Sequence, residues 1–353
     1  MHLKDLFGFL PSMGMSRRDF LRRTAVGVAG VGAVLAAPTM EGCTQPQPQP
    51  QPQPPPQPPA AKSRIVLVQH SGATANAKRV KEPIAQMVDA CVTRMAGETD
   101  PAKAWRKFFS SDEVVGIKVN GLGGPGISTA RELSEVCVER LTGIGVKPQN
   151  IIFWDCNPGY LRNCGLNPDG GDWGCQVLTK GVEYDPPLRL GSFYGRITSI
   201  LTKRIDALLS LPILKDHGIS GITLSMKQHY GSHENPGDHH GNNCDPYIAD
   251  LNTLPAIRQK TRLIITDGTR ATCEGGPGFN PQYVWSYNHL LAATDPVALD
   301  YTGWTIIEGR RKEVGLPPLA QVGRPPKHIA SAAARGLGTN DPEQIEVMPV
   351  ELA

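Results

Sequence analysis

Short apolar runs alternate with segments of helical periodicity along residues 62–353. Each run is almost free of charge, which is typical of strands buried on both faces of a sheet. The predicted strands are residues 65–68, 114–119, 151–154, 207–214 and 263–266. The predicted helices are residues 80–95, 129–141, 248–259 and 296–310. This alternation predicts an α/β fold with a mainly parallel sheet covered by helices on both faces.

The stretch from residue 211 to residue 244 concentrates side chains that can do chemistry. Five of the nine histidines lie there, and two of them follow a lysine at a spacing of two, as Lys215–His217 and Lys227–His229. Apolar residues at 222, 224 and 226 alternate with polar ones. This pattern predicts a strand whose polar face ends in Lys227 and His229, since side chains two apart share a face.

Polar side chains also stand at the ends of the predicted strands. They are Lys118 and Asn120, then Asp155, then Lys215, Asp216 and His217, and finally Asp267. In open α/β sheets, ligands bind outside the carboxyl ends of the strands. We therefore expect these groups to line one crevice. The alternative is that they only begin turns, a common role of Asp, Asn and Gly.

A glycine-rich loop from residue 121 to residue 126 follows the second predicted strand and leads into a helix. Backbone amides of such a loop and a helix N-terminus attract anions. The predicted binding residues are Asn120, Gly123, Gly124 and Gly126. A tight strand-to-helix turn explains the same glycines. The spacing fits neither the dinucleotide nor the phosphate-loop fingerprint, so no nucleotide is indicated.

Residues 1–43 have the pattern of an export signal. Paired arginines, Arg17 and Arg18, precede an apolar run that is shorter than the ~20 residues of a membrane span. This is typical of twin-arginine translocation, with the export machinery as a partner. Cys43 follows a glycine, as in a lipobox, which predicts a lipid tether to the membrane. The alternative is cleavage near Ala37 with Cys43 left as a thiol.

Residues 44–61 are rich in proline and glutamine, a composition that favours an extended polyproline spacer between a tether and the domain 62–353. The alternative is a leader without function. We therefore predict an exported, periplasmic or extracytoplasmic protein, held at the membrane through Cys43.

Composition narrows the classes of partner and cofactor. With 36 basic and 33 acidic residues the chain is nearly neutral, which gives no reason to expect nucleic acid. The eight cysteines form no closely spaced pairs, so no iron–sulfur cluster is indicated. Cys164 and Cys175 share a polar loop, and we predict a disulfide between them.

Several motifs resemble the bacterial family called domain of unknown function 362. They are residues 115–120 (Val-Gly-Ile-Lys-Val-Asn), 211–217 (Leu-Pro-Ile-Leu-Lys-Asp-His), 223–227 (Thr-Leu-Ser-Met-Lys), 267–268 (Asp-Gly) and 295–300 (Asp-Pro-Val-Ala-Leu-Asp). Many relatives carry a ferredoxin-like segment with clustered cysteines. This chain shows no such cluster, so the resemblance implies no electron transfer. It supports the site residues but implies no particular reaction.

Two chemistries suit the candidate site. Imidazoles and a carboxylate predict a transition-metal ion, with ligands drawn from His217, His229, His233, Asp238, His239 and His240. A solvated loop that is rich in histidine is the alternative. Separately, Lys118, Lys215 and Lys227 predict a clamp for a carboxylate or phosphate. The alternatives are ion pairs with Asp155, Asp216, Asp267 and Asp300, or a neutral lysine acting as base or Schiff-base nucleophile.

These observations favour an enzyme that acts on a small anionic molecule, with no reaction class indicated. The predicted catalytic residues are Lys118, Lys215, His217, Lys227, His229 and Asp267, with the lysines holding the anion, the histidines acting as acid–base groups or metal ligands, and Asp267 orienting one histidine. The alternative is a non-catalytic surface lipoprotein that binds a metal ion or solute. No hydrolase signature is present.

Overall fold

The computed structural model describes residues 61–353, which belong to one compact unit. The predicted signal at residues 1–43, the lipobox cysteine and nearly all of the predicted spacer lie outside the described residues. None of the described helices is long and apolar enough to cross a membrane.

An eleven-stranded sheet forms the centre of the fold. Its strands are β1 (Ser63–His70), β4 (Val115–Lys118), β5 (Ile151–Asp155), β6 (Gln176–Thr179), β9 (Ala207–Ser210), β10 (Ile213–His217), β11 (Gly221–Thr223), β12 (Thr261–Thr272), β13 (Val284–Trp285), β14 (His289–Ala293) and β15 (Ile345–Leu352). The order along the sheet is β15-β1-β14-β12-β9-β4-β5-β6. Outside this order, β10 and β13 each pair with β12, and β11 pairs with β10. Two-stranded ribbons, β2 (Thr74–Ala75) with β3 (Lys78–Arg79) and β7 (Leu188–Leu190) with β8 (Phe193–Gly195), lie apart from it.

Most pairs in this sheet are parallel, including β12 with β9, β9 with β4, β4 with β5 and β5 with β6. The exceptions are β14, which runs antiparallel between β1 and β12, and the short strands β11 and β13. The prediction of a mainly parallel sheet is confirmed. Sequence reasoning did not identify β6, β14 or β15.

Successive residues of the central strands enter separate hydrophobic clusters. In β5, Phe153 packs in one cluster, while Ile152 and Trp154 pack in another. In β9, Leu209 packs in the same cluster as Phe153, and Leu208 packs in the cluster of Ile152 and Trp154. Because neighbouring side chains of a strand point to opposite faces, both faces of the sheet are covered, as the continuous apolar runs predicted.

The helices that cover the sheet are α1 (Lys81–Ala96), α2 (Pro101–Arg106), α3 (Arg131–Gly143), α4 (Pro158–Asn163), α5 (Tyr247–Asn252), α6 (Pro255–Lys260), α7 (Pro296–Glu313) and α8 (His328–Ala334). The first three pack their apolar faces into one of the two large clusters, and α5 to α8 pack into the other. Helix α7 begins at the predicted residue, since the Asp295 carboxylate accepts hydrogen bonds from the amides of Val297 and Ala298.

Two predicted elements are each broken in the structure. Residues 207–214 form two strands, β9 and β10, because the chain leaves β9 at Leu211 and the carbonyl of Pro212 accepts from the amide of Asp267. Residues 248–259 form two helices, α5 and α6. Leu254, which precedes Pro255, has an extended ψ of 125° because proline disfavours the helical conformation of the residue before it.

The predicted strand over residues 222–229 is wrong beyond Thr223. The amides of Ser225 and Met226 donate to the Asp300 carboxylate rather than to a neighbouring strand. Residues Lys227–Ser232 then form a 3₁₀ helix. Lys227 and His229 therefore do not share the face of a strand.

Because both faces of the sheet are buried, a substitution in a central strand should reduce the stability of the fold. Val115→Ala in β4 removes two buried methyl groups and should lower the free energy of unfolding by about 2 to 3 kcal/mol, measured by chemical denaturation. Val182→Ala is the matched control, since Val182 is 50% exposed, and should change it by less than about 0.5 kcal/mol. Equal losses in the two variants would contradict the assignment of the core.

Candidate functional site

A cavity of about 250 Å³ lies at the carboxyl ends of the parallel strands. Its polar lining includes Lys118, Asn120, Asp155, His217, Lys227 and His240. Lys118 ends β4, Asp155 ends β5 and His217 ends β10, so parallel strands deliver these groups to one edge of the sheet. The 3₁₀ helix brings Lys227 to the same cavity. The predicted crevice is thus present, although it does not contain every predicted residue.

Lys118 and Asp155 form a buried ion pair at the base of this cavity. The Lys118 ammonium donates to the Asp155 Oδ1 at 2.9 Å and to the carbonyl of Val119 at 2.5 Å. Asp155 also accepts from the amides of Gly121 and Cys156 at 2.8 Å and 2.7 Å. A carboxylate with these donors compensates the cost of burying the lysine.

Gly231 is what lets the 3₁₀ helix approach this ion pair. A Cβ at that position would stand 2.7 Å from the Lys118 Nζ and 2.8 Å from the Asp155 Oδ1. Real Cβ atoms essentially never approach so closely, so any larger residue here would displace the ion pair. The 3₁₀ helix that carries Lys227 is therefore placed directly against the buried pair.

Lys215 is completely buried and stabilises the glycine loop rather than lining the cavity. Its Nζ donates to the Asn120 Oδ1 at 3.0 Å and to the carbonyl of Leu122. Burial lowers the pKa of Lys215 to about 7. Lys215 therefore acts on the site through Asn120, which does line the cavity.

Lys227 has no oxygen acceptor for its ammonium in residues 61–353. Its Nζ lies 3.4 Å from the His240 Nε2, 3.7 Å from the Cys244 Sγ and 3.7 Å from the centroid of the Tyr230 ring. Burial lowers the pKa of Lys227 to about 8, against the effect of the Cys244 thiol, which raises it. The cavity therefore contains one buried cation without a carboxylate partner among the described residues.

His217 is held in one tautomer by the backbone. Its Nδ1 accepts from the amides of Ile219 and Ser220 at 3.0 Å and 3.3 Å. Burial, followed by the nearby Lys227 charge, lowers the pKa of His217 to about 2. The ring is thus neutral and carries its proton on Nε2. This makes His217 a hydrogen-bond donor rather than an acid–base group at neutral pH.

Residues 187–305 match the model of a family described as Domain of unknown function (DUF362). The match covers 119 of the 353 residues of the chain. No curated protein matches the chain. A crystal structure of a protein from Thermotoga maritima matches with a TM-score of 0.38 and 9% sequence identity, covering 58% of this chain and 54% of that one. This chain thus spans about half the length of that protein, and so distant a likeness carries no argument.

The segment that matches DUF362 contributes His217, Lys227 and His240 to the cavity, and Lys215 to the support of Asn120. Lys118 and Asp155 come from the chain that precedes it. The cavity is therefore built from both parts, since the family segment supplies the unpaired lysine and the preceding strands supply the buried ion pair.

The predicted metal ligands are divided among three cavities. His217 and His240 line the cavity described above, with ring centroids 5.9 Å apart. His229 lines a second one of about 200 Å³, while His233, Asp238 and His239 line a third of about 140 Å³. No three His, Cys, Asp or Glu residues within 61–353 are grouped as a metal ion requires. The six residues do not form one shell, and metal binding itself stays a prediction.

His229 is buried next to Ser210, Ser225 and Asn252 in the second cavity. Burial lowers its pKa to about 3, with a smaller contribution from the Lys118 charge. The 3₁₀ helix turns by roughly 120° per residue, so Lys227 and His229 point in different directions. The sequence assumed a strand there, and for that reason it placed both side chains in one site.

Asp267 stabilises the fold at some distance from the imidazoles it was predicted to orient. Its Oδ2 accepts from the amide of Ala130 at 2.9 Å, at the start of α3, and its Oδ1 accepts from the amide and hydroxyl of Thr269. The Arg79 guanidinium lies 3.8 Å away. None of its hydrogen bonds goes to His217 or His229, so the structure gives Asp267 a capping role.

Asn120, which precedes the glycine loop, and Leu122 within it line the cavity, whereas Gly123, Gly124 and Gly126 do not. Gly123 and Gly124 have φ values of 127° and 85°, which side chains rarely adopt. A Cβ on Gly126 would be 2.4 Å from the ring of Phe279. The Asp267 carboxylate accepts from the amide of Ala130 at the start of α3, so one donor of that terminus is already used, and anion binding by Gly123, Gly124 and Gly126 stays a prediction.

The alternative of ion pairs holds for only one of the three lysines, since only Lys118 is paired. Asp216 pairs with Arg324 at 3.0 Å, and Asp300 accepts from Ser225.

The predicted disulfide is not formed, since Cys164 and Cys175 are both free thiols. Both thiols are buried in the same core cluster.

Sequence reasoning missed Tyr230 and Cys244, the two contacts of Lys227 that carry no charge. Cys244 ends a turn in which Asn242, Asn243 and Cys244 have φ values of 49°, 60° and 63°. Each such residue costs on the order of 1 kcal/mol. Asn243 secures the turn by donating to the carbonyls of Ile219 and Gly323. Two adjacent asparagines, which tolerate this conformation, were the only signal in the sequence.

The paired and unpaired lysines should respond oppositely to substitution. Lys118→Met leaves Asp155 without its cation and should lower the free energy of unfolding by about 3 kcal/mol. Lys227→Met leaves no carboxylate unpaired, and should maintain or raise stability at pH 7. Denaturant unfolding of the two variants measures the difference.

The pH dependence of the unfolding free energy checks the direction in which the pKa of Lys227 is shifted. The pKa of Lys227 is about 8 in the folded protein and 10.5 as its ordinary value, so the unfolded chain binds more protons between these limits. The unfolding free energy of the unsubstituted protein should therefore rise relative to Lys227→Met between pH 8 and pH 10, by about 2 kcal/mol. Parallel pH profiles would contradict the buried, unpaired state of Lys227.

Proposed function

We propose that the cavity at the strand ends binds a small anionic molecule and that the protein is an enzyme acting on it. The observation that carries this proposal is the buried ammonium of Lys227, which faces the cavity without a carboxylate in residues 61–353. An uncompensated buried cation is costly. A bound carboxylate or phosphate would supply the missing negative charge.

The charge balance of the cavity supports this choice of ligand. Lys118 and Asp155 neutralise each other at 2.9 Å. His217 is neutral because its pKa is lowered to about 2. The excess charge of the lining therefore comes from Lys227, and an anion is the ligand it attracts.

The donors available to such an anion come from three residues. The ammonium of Lys118 uses two of its three hydrogens on Val119 and Asp155, which leaves one. His217 offers its Nε2 hydrogen, and Lys227 offers its ammonium. A volume of about 250 Å³ is below the roughly 300–1,000 Å³ of sites for drug-sized ligands, so the ligand is small.

A lysine is better suited than the histidines to acid–base work in this cavity. The lowered pKa of Lys227, about 8, is close to physiological pH, where a group both gives and takes protons efficiently. His217, with its pKa at about 2, stays neutral. We therefore assign proton transfer to Lys227 and substrate orientation to His217.

We further propose that the enzyme is exported by twin-arginine translocation and tethered through Cys43. Support comes from the paired arginines Arg17 and Arg18, the apolar run that follows, and the Pro/Gln-rich spacer. A tether and a spacer are useful together, because the spacer carries the domain clear of the membrane.

Calorimetric titration of the full chain with small carboxylates and phosphate tests the anion site. Lys227→Met should weaken binding on the order of 100-fold, because removing one partner of a buried charged contact costs about 3 kcal/mol. Lys103→Met, at an exposed lysine of α2, is the matched control and should bind normally. Unchanged affinity in Lys227→Met would refute the site. If an anion binds and NMR shows that it is not converted to a product, the result would favour the non-catalytic binding protein.

Cell fractionation tests the proposed location. Cys43→Ser should move the protein from the membrane to the soluble extracytoplasmic fraction, since the thiol that accepts the lipid is gone. Arg17→Lys combined with Arg18→Lys should retain the precursor in the cytoplasm. Membrane association that survives Cys43→Ser would contradict the lipid tether and leave the cavity's function unaffected.

A further inference from the structure

Lys227 differs from the other two lysines of the site in what surrounds its nitrogen. Lys118 donates to a carboxylate and a carbonyl, and Lys215 donates to an amide oxygen and a carbonyl. Lys227 has instead an imidazole nitrogen, a thiol and an aromatic ring as its neighbours. The face of the Tyr230 ring favours the ammonium form through a cation–π contact, but no oxygen acceptor in residues 61–353 holds the nitrogen by a hydrogen bond.

The backbone holds one of these weak partners in place at a conformational cost. The left-handed turn Asn242–Asn243–Cys244 directs a fully buried thiol toward Lys227. Local strain at a functional site persists only where the surroundings enforce it. Here the side chain of Asn243 enforces it, through hydrogen bonds to two separate segments of the chain.

We propose that Lys227 forms a Schiff base with its substrate, and that the substrate is a small carboxylate carrying an aldehyde or ketone carbonyl. This inference rests on the anion-binding function proposed above. A buried lysine without a counter-charge is the kind that acts as a nucleophile. The hydrogen bonds of Lys118 and Lys215 to oxygen acceptors withhold these two lysines from this role.

The step balances without a further reactant. The lone pair of the Lys227 Nζ forms a bond to the carbonyl carbon while the C=O π bond breaks, and a proton from the amine reaches the oxygen. The resulting carbinolamine loses its hydroxyl and the second amine hydrogen as water, which leaves the C=N bond. The Nε2 hydrogen of His217 is available to the carbonyl oxygen, and the remaining Lys118 hydrogen is available to the carboxylate.

Reductive trapping tests the proposal. The full chain is incubated with pyruvate or glyoxylate and sodium cyanoborohydride, and the modified peptides are identified by mass spectrometry. A secondary amine at Lys227 should form at least ten times faster than at the exposed Lys103, which serves as the internal control. Preincubation with acetate, a carboxylate without a reactive carbonyl, should slow the labelling of Lys227 and leave Lys103 unaffected.

The variant Lys227→Arg distinguishes Schiff-base formation from the anion binding on which this inference rests. Arginine keeps the positive charge but forms no imine, so the variant should still bind acetate within about tenfold of the unsubstituted protein and should show no trapped product at position 227. If the unsubstituted protein binds acetate and neither carbonyl acid labels Lys227 faster than Lys103, the Schiff base is overturned and the anion site stands. If acetate does not bind either, both proposals fail.

Discussion

The buried ion pair between Lys118 and Asp155 is the contact on which the rest of the site depends. It joins the ends of two parallel strands, and the same carboxylate binds the first amide of the glycine loop. Gly231 lets the 3₁₀ helix approach the pair, and that helix carries Lys227. Because a buried ammonium needs its carboxylate, the pair determines how closely the two strand ends, the loop and the helix can approach one another.

Charged groups at this edge of the sheet are of two kinds. Asp155, Asp216, Asp267 and Asp300 all accept hydrogen bonds from backbone amides, so each connects chain segments that are distant in sequence. Lys227 has no such bond to a carboxylate or carbonyl oxygen among the described residues. Among the three lysines of the site, Lys227 alone has no oxygen acceptor among the described residues, which makes it the natural place for an anionic ligand.

The match to the DUF362 family covers the half of the site that contains Lys215, His217 and Lys227. The family description assigns no reaction, so the chemistry has to come from the cavity itself. A neutral imidazole with a defined tautomer, a lysine of lowered pKa and a volume suited to small molecules together favour chemistry on a small anion. The same lining disfavours His217 as a proton carrier near pH 7.

The sequence by itself determined the fold class and the edge of the sheet that carries the site, because continuous apolar runs reveal buried strands and the polar residues after them mark strand ends. It also singled out Lys118, His217 and Lys227. Only the tertiary structure decided their roles, since a pairing depends on contacts between distant residues. The carboxylate of Asp300 draws the amides of Ser225 and Met226 away from a strand, and this single distant contact separates His229 from Lys227. Likewise Asp267 and Asp155 each follow an apolar run in the sequence, yet Asp267 lies within β12 and binds the amide at the start of α3, whereas Asp155 ends β5 and binds a lysine. Strand order and packing determine which partner each carboxylate can reach.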